Sequence, residues 1–218
     1  MKLKTVLISI IIFCIYYFIP DLFNLIDYSN FSRSTIILFL FLIDLVPFIF
    51  LVLVYRKDLK NDFKPFKDNF MDNFDKYIRY YIAGLLIMTA SNLLIELFAN
   101  RAISNNEQAI RSISKILPIY TVITCSITGP IAEELAYRKT IKNIFIDKKL
   151  SIIASAIIFG LVHVIGTYTQ LTDLLYIIPY GAFGATFMLI YCDSDNIWNS
   201  IFIHFLHNSL LLIAYFIR

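Results

Sequence analysis

The sequence predicts an all-α, polytopic integral membrane protein of about seven transmembrane helices, leaving room for an eighth as a half-helix hidden in a loop. Composition points there first: 59% of the 218 residues are hydrophobic, only 16% are charged, and the mean hydropathy is +0.72, whereas an ordinary soluble domain carries about 25% charged residues. Apolar runs of about 18 or more residues then recur along the chain, the length a helix needs to cross a hydrocarbon core of roughly 30 Å. No internal repeat, low-complexity tract or Gly/Ser linker interrupts them, so a single membrane domain over 1–218 is expected, with helices 1–3 and their loops in 1–116 and the motif-bearing helices in 117–218.

The spans fall near 5–22, 34–55, 80–99, 117–138 or beyond, 150–168, 173–192 and 197–217. The first has the basic head and apolar body of a secretory signal, but bulky Tyr16, Tyr17 and Phe18 stand where a small-residue cleavage site is needed, so it is read as a retained helix. Cys14, Cys125 and Cys192 sit in or at the edge of apolar runs without C-x-x-C spacing, and are read as small core residues in preference to a disulfide framework or a zinc site. Counting basic residues sets the orientation. Only Arg33, Arg101, Arg111, Lys115 and Arg218 of the 19 Lys and Arg residues fall in segments on one side, so the crowded side, which includes the N-terminus, is expected to be the inside of a cell membrane.

Much of that basic charge lies between Arg56 and Arg79, interleaved with Phe63, Phe66, Phe70, Phe74 and several aspartates. The pattern fits an amphipathic stretch on the inner leaflet, not a nucleic-acid-binding surface. The lipid bilayer is therefore the expected partner, and nucleic acid is not.

An ionisable residue in the hydrocarbon region costs at least ~2.5 kcal/mol and is a functional candidate by default. Asp44, Glu96, Glu133, Glu134, Arg138, His163, His204 and His207 qualify. Asp44, close to Pro47, is expected to bond backbone groups freed by the proline, and Glu96 lies near enough to a helix end to reach water. The three histidines and the glutamate pair are harder to explain as packing residues.

Spacing relates them. With a turn near Lys148, Glu133 and His163 are each 15 residues away along antiparallel helices, hence at equal depth, roughly 22 Å from the turn. This requires the fourth span to continue through Arg138 and Lys142. Glu134 and Arg138, four apart, form an ion pair on one face, while Glu133 is turned about 100° away and stays free. His204 and Asn208 are also four apart; they reach the same depth only if the hairpin between the fourth and fifth spans protrudes further inward.

One carboxylate, two histidines and an amide in a water-poor cavity suit peptide-bond hydrolysis. Glu133 with His163 would hold and deprotonate a water, and His204 with Asn208 would stabilise the oxyanion. Zinc is left open, with Glu133, His163 and His204 as its ligands, but H-E-x-x-H is absent and no cofactor is favoured. A proton-coupled transporter using Glu133 and His163 as a relay, or a non-enzymatic membrane scaffold, are the competing classes.

E-E-L-A-Y-R (Glu133 to Arg138), F-G-L-V-H (Phe159 to His163) and H-F-L-H-N (His204 to Asn208) match E-E-x-x-x-R, F-x-x-x-H and H-x-x-x-N in order and spacing. On these motifs the chain resembles the CAAX protease and bacteriocin-processing family, also called Abi. The resemblance covers about Cys125 to Ser209 and implies an intramembrane endopeptidase acting on a hydrophobic or membrane-associated peptide. It also implies that Glu133 and His163 activate water, that His204 and Asn208 form the oxyanion hole, and that Glu134, Arg138 and Phe159 support them. Eukaryotic members of the family remove the last three residues of prenylated C-a-a-X proteins, and bacterial members are linked to peptide processing and bacteriocin immunity. The family often has a small residue after the motif arginine, where this chain has Lys139.

Overall fold

The computed structural model describes residues 2–217 and contains nine helices and no strand among them. They are α1 (Lys2–Phe23), α2 (Arg33–Val54), α3 (Arg56–Asp68), α4 (Phe70–Ala99), α5 (Asn105–Ile116), α6 (118–144), α7 (Lys148–Ile165), α8 (Ile177–Ser194), which follows a 3₁₀ turn at Leu171–Tyr176, and α9 (Ile197–Ile217). Side-chain caps define three of the starts: Ser32 accepts from the Thr35 N–H, Ser104 from Glu107 and Asp147 from Leu150.

Six described helices are long and apolar enough to cross a membrane: α1, α2, α4, α7, α8 with its preceding 3₁₀ turn, and α9. The remaining expected span, 117–138, is α6. It runs on to Ile144, as the equal-depth argument requires, but Val122–Thr128 and Leu135–Thr140 are wound as π-helix, which divides it into short stretches. Two short helices, α3 and α5, occupy loops. Arg218, counted above among the outer basic residues, lies outside the described residues.

Contacts at the helix ends sort the loops into two faces. On one, Lys139 pairs with Asp58 (2.6 Å), Lys142 with Asp195 (2.7 Å) and Lys76 with Asp193 (2.6 Å). The Asn196 amide donates to the Asp62 carbonyl, and the Ile197 N–H donates to the Asp62 carboxylate. Burial pushes that carboxyl up from its ordinary value, and the Ile197 N–H draws it part of the way back. These segments are the ones the lysine count assigned to a common side. On the opposite face, Asp173 gathers Arg101, Asn105 and the backbone N–H groups of Thr169 and Gln170.

The 56–79 segment differs from its expected form. It breaks at Asn69 into α3 and the start of α4, and its aromatic side chains are partly covered by protein: Phe63 lies 5.3 Å from the Trp198 ring and Phe70 5.0 Å from Phe202. The Trp198 indole N–H donates to the Leu59 carbonyl. Here part of the apolar face packs against α9.

At the centre α7 and α8 pack closely because small residues line their contact. A Cβ on Gly184 would come within 2.8 Å of Ala156 Cα and 3.0 Å of Phe159 Cβ, and one on Gly160 within 2.6 Å of the Ile177 carbonyl oxygen. This approach places the His163 end of α7 against the first turns of α8. Gly184→Val should therefore wedge the pair apart and cost about 1–3 kcal/mol, which thermal unfolding of the detergent-solubilised protein would register as a lower midpoint.

Candidate active site

Glu133 and Glu134 lie at the end of a single α-helical segment, Gly129–Glu134, set between the two π stretches of α6. π-turns inside α-helices are frequent at functional sites because they shift side chains to new faces. The first closes with Gly129 donating to the Thr124 carbonyl, five residues back. A Cβ on Gly129 would sit 2.5 Å from that oxygen, so only glycine fits this turn.

Glu134 and Arg138 are fully buried. Arg138 Nη2 lies 3.1 Å from Glu134 Oε1, and Nη1 donates to Ser155 Oγ at 3.0 Å, whose own hydroxyl reaches the Tyr137 and Gly184 carbonyls. The guanidinium carbon stands 4.4 Å from the Phe159 ring centroid, a cation–π contact strengthened by the absence of water. Glu134 Oε1 is also 2.9 Å from His204 Nδ1. A carboxylate only accepts, so Nδ1 carries the hydrogen and Nε2 points away from Glu134.

That Nε2 lies 3.7 Å from Glu133 Oε2, and His163 Nε2 lies 3.9 Å from the same oxygen. His163 Nδ1 is 2.8 Å from the Phe159 carbonyl; because a carbonyl cannot donate, Nδ1 again holds the hydrogen and Nε2 is an acceptor in the neutral ring. The imidazole is sandwiched by Phe159 (centroids 4.2 Å apart) and Tyr180 (4.7 Å), while Phe187 stacks on His204 at 4.5 Å. Glu133 retains 25% side-chain exposure while Glu134 has none.

Asn208, one turn beyond His204, donates one amide hydrogen to the Cys125 carbonyl at 2.8 Å, a group within the first π stretch. Together with Glu133, His163 and His204 it lines a cavity of about 760 Å³ that extends to α5, where Ser104, Glu107 and Arg111 form its wall. The sequence-derived residues Glu133, His163, His204 and Asn208 thus share one cavity with Phe159, and Glu134 and Arg138 are packed behind them.

Of the other candidates, Asp44 and His207 also line this cavity but engage other partners. His207 bonds the Tyr81 hydroxyl and packs on Phe183. Asp44 accepts from the Tyr120 hydroxyl, which replaces the expected bond to backbone groups near Pro47. Glu96 is exposed. Lys139, the departure from the family pattern, is accommodated by Asp58 of α3. Sequence reasoning missed Ser155, Tyr180 and Phe187. Ser155, Phe159 and His163 recur every fourth residue, a face that could have been read, whereas nothing local distinguishes Tyr180 or Phe187 from packing aromatics.

Among the described residues no group of three or more His, Cys, Asp or Glu side chains is arranged to hold a metal ion; the three cysteines are free, and Cys14, on α1, is exposed where the sequence suggested a core position.

The fold and cluster define a multi-pass membrane protein with a carboxylate, two imidazoles and an amide converging within its helices. Residues 115–210 match the family described as type II CAAX prenyl endopeptidase Rce1-like, and over that stretch the chain is similar to this family. It is 31% identical over 150 residues to "Putative membrane peptidase YdiL" of Bacillus subtilis (strain 168), covering 65% of this chain and 58% of that protein. Identity is 27% over 135 residues to "Membrane-embedded CAAX protease MroQ" of Staphylococcus aureus (strain USA300), covering 58% and 51%. It is 34% over 105 residues to "UPF0177 protein YaiH" of Lactococcus lactis subsp. lactis (strain IL1403), covering 48% and 42%. The chain spans about half the length of the curated relatives it matches. No solved structure matches it.

Removing one member of a buried ion pair leaves the other charge uncompensated, at about 3–5 kcal/mol. Arg138→Ala should therefore lower stability by that amount, seen as loss of folded protein in a detergent thermal-shift measurement, whereas Lys139→Ala should change it by less than about 1 kcal/mol.

Proposed function

We propose that this protein is an intramembrane endopeptidase in which Glu133 activates water against a peptide bond. The observation that carries the reading is the approach of Glu133 Oε2 to the two Nε2 atoms of His163 and His204, 3.9 and 3.7 Å away, at the wall of a cavity large enough for an extended peptide segment. The similarity of residues 115–210 to CAAX endopeptidases and the name of the Staphylococcus relative support the same class.

Both Glu133 Oε2 and neutral His163 Nε2 accept hydrogen bonds, so a water between them donates both hydrogens and turns a lone pair outward to the substrate carbonyl. As the water oxygen bonds to that carbon, Glu133 takes a proton and later delivers it to the departing amine, whose C–N bond breaks. The oxyanion formed meanwhile faces two donors: the second amide hydrogen of Asn208, and Nε2–H of His204 when both of its ring nitrogens carry hydrogen and Nδ1 donates to Glu134. Glu134 and Arg138 hold this arrangement and take no part in bond making. The chemistry runs without metal.

The substrate is a hydrophobic or amphipathic peptide that arrives laterally from the bilayer and is cut near the inner half of the membrane. The N-terminus is inside, with the Lys-rich face toward the cytoplasm. Peptide maturation or self-protection against bacteriocins fits such an activity.

Glu133→Gln should keep the fold and lower turnover by about 10²–10⁴-fold. Mass spectrometry of small membrane peptides from cells with wild-type or Glu133→Gln protein would show truncated products only in the former. An unchanged peptide profile would favour a scaffold. Chelator treatment should leave cleavage intact; loss of activity restored by zinc would replace the water-activation scheme with a metal-assisted one, in which Glu133, His163 and His204 are the candidate ligands.

A further inference from the structure

His163 is held from two sides, and only one of them belongs to its own helix. Phe159, one turn earlier on α7, offers its carbonyl to Nδ1 and its ring to one face of the imidazole. The other face is covered by Tyr180 of α8, nearly parallel at 26°. An apolar ring would cover it equally well, yet residue 180 is a tyrosine. Placing a hydroxyl within an apolar helix costs free energy unless it is bonded.

The Tyr180 hydroxyl has two partners, both on the far face of the membrane. It shares a hydrogen bond with Ser104 Oγ at 2.7 Å and accepts from Asn106 Nδ2 at 3.2 Å. Ser104 is the cap of α5, and its Oγ also accepts from the Glu107 N–H at 3.1 Å. The neighbouring residue, Asn105, is fastened as well: its amide donates to the Thr167 carbonyl at 2.8 Å and to Asp173, and its carbonyl receives Arg101 Nη2 at 2.6 Å. The base of the clamp is thus a connected polar knot joining the loop before α5 to the loop after α7.

We infer that Tyr180 is a positioning residue, through which the capped start of α5 fixes the ring of His163 opposite Glu133. The inference rests on the reading of His163 as the partner of Glu133 in holding water, and it adds a control point outside the three motifs of the sequence. The hydroxyl sets where the Tyr180 ring lies, the ring blocks rotation of the imidazole, and the imidazole keeps Nε2 on the water. Small misplacement of a catalytic group is costly: about 1 Å can lower a rate by roughly 10²-fold.

Two readouts test this separately from peptidase activity itself. The chain has only 3 histidines, so ¹⁵N-histidine NMR of the full-length protein in micelles yields few signals, assignable with His163→Gln and His207→Gln. Tyr180→Phe keeps the stacked ring and removes the tie; it should shift and broaden the His163 resonances while leaving those of His207 in place. The Ser104→Ala/Asn106→Ala double variant should reproduce that change and add nothing to it in the Tyr180→Phe background. An unmoved His163 signal, or an equal disturbance at His207, overturns the proposal.

For any peptide cleaved by wild type and spared by Glu133→Gln, Tyr180→Phe should lower kcat about tenfold with KM unchanged. A raised KM with unchanged kcat would instead assign Tyr180 to substrate contact and overturn the positioning role. If no peptide is cleaved in a Glu133-dependent way, the proposed function fails, while the NMR comparison still decides whether Tyr180 sets the His163 ring.

Discussion

The organisation of the site depends on a single buried ion pair, Glu134 with Arg138. Both side chains are withdrawn from solvent, where an isolated charge is prohibitively expensive and removing one partner of a pair is strongly destabilising. Its further contacts are to the elements of the site: Ser155 on α7, the Phe159 ring and His204 on α9. The pair thus ties α6 to α7 and α9, and it directs His204 Nε2 toward Glu133. Glu133, next in sequence, is released from this role because a helix turns its side chain to another face, where it borders the cavity.

Around that pair, the histidines are fixed by devices of different kinds. His204 is fixed by charge, through Glu134, and by the Phe187 ring; His163 is fixed by a backbone carbonyl of its own helix and two aromatic faces. In both cases Nδ1 is occupied and Nε2 is directed to the same carboxylate oxygen. Fixing the ring and its tautomer through one nitrogen while the other works is a general means of preparing a histidine for chemistry. The first π stretch of α6 contributes the Cys125 carbonyl, which engages Asn208.

Much of this was legible in the sequence. Counting residues from the turn after α6 placed Glu133 and His163 at one depth, and their side chains do meet; i, i+4 spacing gave the Glu134–Arg138 pair and the shared face of His204 and Asn208. The lysine bias grouped loops that the structure joins through Lys139–Asp58 and Lys142–Asp195. The π turns were not legible, since no local pattern distinguishes Val122–Thr128 from an ordinary apolar helix. Tyr180 and Phe187 were hidden for a similar reason: in a chain rich in aromatics, what one of them does is decided by the helix it faces, and the spacing of α7 against α8 is set by Gly160 and Gly184. The 56–79 segment was read as an amphipathic stretch on the inner leaflet, and the packing of its aromatic face against Trp198 and Phe202 was not foreseen, because it depends on a contact more than a hundred residues away.

The central claim is that Glu133 and His163 hold the attacking water while His204 and Asn208 receive the oxyanion. The most direct test is an experimental structure of the protein with a hydrophobic peptide aldehyde, whose hydrate carries two oxygens on one tetrahedral carbon. The account predicts one oxygen between Glu133 and His163 and the other against His204 and Asn208. A carbon bonded to a protein side chain, an oxygen held by a metal ion, or a hydrate seated away from Glu133 would contradict it.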